Sequence, residues 1–250
     1  MGVLSAGRSR PIGPFAALLT AQILFMSLMP FADDSVFVAQ LIRYGFIGVL
    51  IAGLGVAREN RGFLGIAVVL MLANLVMQWL AGRITEEPID DQILRGLLGV
   101  ANLSFLILVL LRTLSRQSET TADVVLGGIN VYLLLALTFS SLHQVIELAH
   151  PGSYVRAGLA ISDPANLVHA SLQTTLFYFS VTTLTTLGYG DIAPALPVAQ
   201  FTCSAEAIIG QLYVAIFIGG LVALRVSALR TSPTTVEQQA SGPGARDGDA

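Results

Sequence analysis

Thr185-Thr186-Leu187-Gly188-Tyr189-Gly190-Asp191 separates a short apolar run, about 167–185, from a long one that begins at Pro197. Glycines at alternate positions free the backbone for conformations that residues with a Cβ avoid. Tyr189, between them, brings a large apolar body with a polar tip, and Asp191 closes the stretch with a negative charge. Taken alone, these seven residues would make a turn. What stands on either side decides their meaning.

On either side the chain is apolar. Of 250 residues, 54% are hydrophobic and only 12% charged, and the mean hydropathy is +0.74. A soluble domain has about a quarter of its residues charged. The composition is that of a membrane protein with length for about six spans of roughly 20 residues each. No large soluble domain fits beside them. A net charge of −3 points to no nucleic acid partner. The single cysteine, Cys203, excludes an intrachain disulfide and a cysteine-rich metal site. His143, His150 and His169 match no metal-ligand spacing and read as solvated or packed side chains near the outer face. No catalytic nucleophile, general-base pair or cofactor motif appears, so neither an enzyme nor a bound cofactor is expected.

Apolar runs predict helices over about 14–31, 35–57, 63–82, 93–111, 124–149 and 197–224. The first follows Arg8 and Arg10. It is long for a signal-peptide core, and Met29-Pro30-Phe31-Ala32 is a poor cleavage site, so a retained helix is expected. With the amino terminus in the cytoplasm, Arg8, Arg10, Arg58, Arg61, Arg112, Arg116, Arg225, Arg230 and Arg246 lie inside. Only Arg83, Arg95 and Arg156 lie in outer loops, which satisfies the positive-inside rule. Both termini are then cytoplasmic, and Asp191 lies on the outer side. All 13 basic residues are arginines, and this small arginine-only chain suggests a bacterial inner membrane. Residues 1–13 form a cytoplasmic segment, 14–111 four helices, 112–123 a polar linker, and 124–226 a helix, a short apolar run and a helix. The tail 227–250, rich in Ser, Thr, Gly, Pro and Gln, has no apolar face and reads as disordered.

In this setting the opening stretch resembles the selectivity filter of potassium channels. The resemblance covers 124–226 and implies an all-α membrane protein in which a re-entrant pore helix and an extended filter loop join the fifth and sixth helices. In that family a Thr-X-Gly-Tyr-Gly strand replaces the water around a dehydrated potassium ion with backbone carbonyls and a Thr hydroxyl. Thr186 then supplies the innermost site, and Leu187, Gly188 and Tyr189 the carbonyls above, with Gly190 ending the set. Leu187 stands where Val or Ile is usual, which changes packing and leaves the carbonyl in place. Thr185 and Asp191 support the strand. Tyr178 and Phe179 match an aromatic cuff, in which Tyr178 either donates to Asp191 or simply packs. The run Thr174 to Thr185 is the expected pore helix, its negative carboxyl-terminal end facing the cavity. Gly210, 19 residues after Asp191, matches the family's bending glycine in the inner helix, or else serves close helix packing. Val214 and Ile218 are candidates to line the lower pore.

Glu206 is an acid inside a membrane helix, rare and functional by default. It either faces the base of the filter, bonded to Thr182 or Thr183 as a modulatory acid, or only stabilises packing. The fourth helix carries no basic residue between Arg95 and Arg112, which lie about 25 Å apart at 1.5 Å per residue. Steep voltage opening needs about 3–4 gating charges per subunit. The first four helices therefore read as an uncharged scaffold, with Gly48/Ala52 and Gly53/Ala57 suited to tight packing. Arg43 reads as a structural residue partnered by Asn74 or Gln78. The expectation is a homotetrameric potassium-selective channel in a plasma membrane, with potassium as permeant ion, lipid as surroundings and a separate regulatory chain as a further partner. The alternatives are a poorly selective cation channel and a non-conducting regulatory or assembly subunit.

Overall fold

The computed structural model describes residues 13–31, 36–57, 61–81, 89–116, 122–167 and 171–231. It is an all-α membrane protein, apart from one small sheet. Helix α1 (Pro14–Leu28) opens with proline at its first position, where a missing N–H costs nothing, and ends in a 3-10 turn at Met29–Phe31. Then come α2 (Val36–Ala57), α3 (Arg61–Ala81), α4 (Ile89–Leu114), α5 (Ala122–Ala149), the short α6 (Leu172–Leu184) and the long α7 (Pro197–Thr231). Among the described residues, α1 with its 3-10 turn, α3, α4, α5 and α7 are each long and apolar enough to cross a membrane. In α2 the stretch Tyr44–Gly55 is apolar but shorter. Residues 227–231 of the expected disordered tail are the last turn of α7; the rest of the tail and His169 lie outside the described residues, as does the side chain of Arg43, whose suggested partners bond each other, Gln78 Nε2 donating to Asn74 Oδ1 at 3.1 Å.

Helix α5 is the hub, packing against α1, α4, α6 and α7. Its inner half joins Phe15, Leu18 and Phe25 of α1 and Leu103, Leu106 and Leu110 of α4 through Val131, Leu134 and Leu137. Helices α2 and α4 touch where Gly53 leaves room. A Cβ there would stand 2.7 Å from Leu106, whereas at Gly48 nothing lies within 4 Å. The outer half of α5 belongs to a second core in which Ile146 meets Leu176 and Phe179 of α6 and Ala199 and Cys203 of α7. Helices α5 and α7 are antiparallel. The end of α5 meets the start of α7 in that cluster, while Gly128 near the start of α5 lies under Phe217 far along α7.

The segment after α5 is a hairpin. Strands β1 (Tyr154–Arg156) and β2 (Leu159–Ala160) pair antiparallel, and β3 (Ala193–Pro194), just beyond Asp191, pairs with the other edge of β1. Ala157 and Gly158 make the two-residue turn, with φ of 51° and 83°. Both central residues of a type I′ turn require such values. Under the sheet, Glu147 is fully buried. Its Oε1 accepts from Gly152 N at 3.0 Å and Ser162 Oγ at 2.5 Å, and its Oε2 from Tyr154 N at 3.0 Å. Replacing Glu147 with Ala strands these donors, each at about 1–3 kcal/mol. Thermal unfolding of the detergent-purified protein is expected to show a markedly lowered midpoint, with Glu147→Gln intermediate because it keeps one acceptor oxygen.

Candidate functional site

Helix α6 starts at Ser171, whose hydroxyl caps it by accepting from Thr174 N at 3.3 Å. Its 13 residues reach roughly 20 Å, too short for a bilayer core of about 30 Å. Ser180 and Thr182 are buried on it, whereas every residue from Thr185 to Asp191 is exposed on the single chain. At its carboxyl end the backbone does not simply continue. Thr186 N donates to Thr183 O at 2.9 Å, and then two successive amides, Leu187 N and Gly188 N, donate to the one carbonyl of Thr182, at 2.9 and 3.2 Å.

This convergence fixes the direction of the carbonyls. In a trans peptide the C=O of one residue lies antiparallel to the N–H of the next, and no cis bond is present. The carbonyls of Thr186 and Leu187 therefore both point away from α6. An ordinary strand would send them to opposite sides. The reason is the alternation in backbone hand: φ is +58° at Thr186, +53° at Gly188 and +78° at Gly190, and negative at Leu187 and Tyr189 between them. Alternating hands gather successive N–H groups on one face and leave the carbonyls on the other. At Gly188 and Gly190 a Cβ would meet nothing within 4 Å, so glycine is required there by conformation, not by space. Thr186 is a β-branched residue in a region such residues avoid, the kind of strain that collects at functional sites.

Both ends of the strand are held. At the outer end, Tyr178 Oη donates to Asp191 Oδ1 at 3.2 Å, and its ring stacks parallel on Tyr189 with centroids 6.3 Å apart. Ile192 then enters the outer core, and β3 is fastened to β1, with Ala195 N donating to Ser153 O at 2.8 Å. At the inner end, Gln211 Nε2 lies 3.5 Å from Thr186 Oγ1, a contact at the long limit of a hydrogen bond. Val214 and Ile218 continue that side of α7 as half-exposed or exposed apolar residues.

Gly210 is buried against the end of α6. A Cβ there would lie 2.5 Å from the carbonyl oxygen of Leu184, which also accepts from Tyr132 Oη at 3.3 Å. Close packing alone therefore demands glycine at this position.

Glu206 has different partners from those expected. It is fully buried; Oε2 meets His143 Nε2 at 2.8 Å and Oε1 meets Ser180 Oγ at 2.5 Å. Thr182 and Thr183 are not its partners: the Thr182 hydroxyl donates to Phe179 O, on its own helix. Leu176, Phe179 and Ser180 share the face of α6 turned to this core; Thr182 lies off that face, and Thr183 lies on it but one turn beyond Ser180. His143, expected near the outer face as a packed or solvated ring, lies fully enclosed with Nδ1 2.6 Å from Tyr154 Oη. Phe179 meets both rings edge-on, with centroids 5.3 Å away. Burial, followed by the Cys203, Glu206 and Glu147 groups, pushes the Tyr154 phenol far above its ordinary pKa, so it keeps its proton. The antiparallel register of α5 and α7 brings His143 and Glu206 together. The two residues lie six from the end of α5 and nine from the start of α7, or about 9 and 14 Å below the outer ends of antiparallel helices. His150 is exposed, and among the described residues no cluster of His, Cys, Asp and Glu could hold a metal.

Residues 166–225 match the family model described as "Ion channel". Over 83 residues, one third of this chain, the sequence is 34% identical to the inward rectifier potassium channel Kirbac3.1 of Paramagnetospirillum magnetotacticum. The segment that carries the strand is thus similar to an ion-channel domain and to part of a potassium channel. The match spans only 22% of that relative's length, and no solved structure matches the chain significantly. The segment matched by the family model holds α6, the one-sided strand and most of α7.

Replacing Gly210 with Ala puts a methyl against backbone that cannot swing away, and overpacking of this kind costs typically 1–3 kcal/mol. A lowered unfolding midpoint for Gly210→Ala is the expected result. An unchanged midpoint with altered opening would instead make the residue a hinge.

Proposed function

We propose that this chain is the subunit of a homotetrameric, potassium-selective channel that conducts passively. The carrying observation is the backbone from Thr186 onward, whose successive amides converge on Thr182 O and whose carbonyls therefore face one way. A single such strand offers carbonyls from one side only. A closed four-fold ring places four strands around an ion and replaces its hydration shell with oxygen. In this reading Thr186, Leu187, Gly188 and Tyr189 bind potassium, Gly190 completes the strand, and Thr185, Asp191 and Tyr178 support it. Val214 and Ile218 line the inner pore, residues 124–226 form the pore module, and 14–111 form the scaffold around it. The exposed apolar side chains of Phe201, Ile208, Leu212 and Ile216 on α7 suit contact with neighbouring subunits or lipid.

The channel sits in a plasma membrane, on composition a bacterial inner membrane, with both termini in the cytoplasm. Opening responds to lipid, pH, the ion itself or a separate regulatory chain and not steeply to voltage, because α4 has no basic residue between Arg95 and Arg112.

Reconstituted in liposomes, the purified protein is expected to carry potassium with little sodium. Flux of both ions would indicate a poorly selective cation channel, and none a non-conducting subunit. Gly188→Ala, which forces a Cβ into positive φ, is expected to abolish selective potassium flux while the protein still purifies as an oligomer. Single-channel recording in a blocker-free bilayer is expected to give an open probability that varies little with voltage. A steep dependence would contradict the scaffold reading of α1–α4.

A further inference from the structure

Four contacts join β1, α5, α7 and α6 in one buried chain: Tyr154 Oη to His143 Nδ1 at 2.6 Å, His143 Nε2 to Glu206 Oε2 at 2.8 Å, Glu206 Oε1 to Ser180 Oγ at 2.5 Å, and Ser180 Oγ to Ala136 O at 2.8 Å. Their protons can be counted. The Tyr154 hydroxyl finds its acceptor in His143 Nδ1, so the ring carries its hydrogen on Nε2 and donates it to Glu206 Oε2. Ser180 has one hydroxyl proton and two acceptors within reach, Glu206 Oε1 and Ala136 O.

With a proton on Glu206 Oε1 the chain closes. The acid donates to Ser180, Ser180 donates to Ala136 O, all four hydrogen bonds form, and every group is neutral. Moving that proton to His143 makes an ion pair but leaves the buried Tyr154 hydroxyl without an acceptor. Removing it leaves a carboxylate facing Cys203 on its own helix and Tyr132 and His143 on α5, with Glu147 beyond Tyr154 and no arginine among these neighbours. Burying an uncompensated charge or an unpaired hydroxyl is costly. The neutral chain is therefore the resting arrangement.

We propose that Ser180 is a two-position latch set by one proton on Glu206. With the proton present, the hydroxyl ties α6 to α5 at Ala136. When the Glu206 O–H bond breaks and the proton passes to water, the Ser180 hydroxyl rotates to the carboxylate, which keeps the tie to α7 and releases the one to α5. Ser180 lies two residues before Thr182, whose carbonyl holds the amides of Leu187 and Gly188. The change of partner is thus delivered to the base of the strand. Its effect on conduction rests on the channel reading, whereas the proton and the latch do not.

Two readouts separate these. Infrared difference spectra of the wild-type protein are expected to show the C=O stretch of a buried carboxylic acid that disappears at alkaline pH. Glu206→Gln should lack the band, since its amide reproduces the neutral arrangement by donating to Ser180 and accepting from His143. Ser180→Ala should keep the band, shifted to higher frequency by loss of the hydrogen bond. In liposomes, wild-type potassium flux is expected to change several-fold between acid and alkaline pH, with flat profiles for Glu206→Gln and Ser180→Ala. Identical infrared spectra for wild type and Glu206→Gln, or a wild-type pH profile retained by Glu206→Gln, would overturn the proposal. Absence of flux from every variant at every pH would fall on the channel reading, and the infrared bands would still decide the latch.

Discussion

The carbonyl of Thr182 accepts from two successive amides, and the strand and the contacts around it depend on that sharing. A helix end leaves carbonyls without intrahelical partners. Here one of them holds the first two peptides of the strand with their N–H groups turned the same way. Planarity of the peptide carries the consequence to the other side, where the oxygens of Thr186 and Leu187 must also agree in direction. The strained φ of Thr186 and the two glycines are the conformational cost of that agreement. The surrounding structure meets it by fastening both ends.

Those fastenings explain why α5 and the sheet are built as they are. The outer end is pinned twice, by Tyr178 on Asp191 and by β3 on β1. The sheet in turn stands on Glu147, a buried acid that accepts from two backbone amides and a serine. Tyr154 belongs to both systems. Its amide bonds Glu147 and its hydroxyl bonds His143, so the hairpin and the buried acid on α7 are joined through one residue. At the inner end, Gly210 lets α7 come against Leu184 O, closing the helix that presents the strand.

The chain divides by chemistry as well as by sequence. Helices α1 and α4 meet α5 through apolar packing and single polar contacts such as Asn130 Nδ2 to Phe15 O at 2.8 Å. Helices α5, α6 and α7 meet through a continuous polar chain inside an apolar core. Apolar packing tolerates small sliding, whereas a chain of short hydrogen bonds has discrete arrangements. A response to a proton is therefore expected at the second junction and not at the first.

The helices and the strand were legible in the sequence because each rests on local chemistry. Long apolar runs have no other place than a bilayer, and Gly188 and Gly190 are set by backbone conformation that no neighbour influences. The sequence alone determined a helical membrane protein and the seven residues at its centre. What it could not determine were matters of register between distant segments. The partner of Glu206 is Ser180 and not Thr182 or Thr183, because both the face of α6 turned to α7 and the turn that comes level with Glu206 follow from how the helix is docked. The hairpin was hidden because Ala157-Gly158 is a weak turn signal and its strands are two and three residues long. His143, Tyr154 and Glu147 acquire their roles only when α5, α7 and β1 come together. Only the tertiary structure decides which buried polar atoms meet, since a polar group in an apolar core takes whichever partner the packing brings within 3 Å or so.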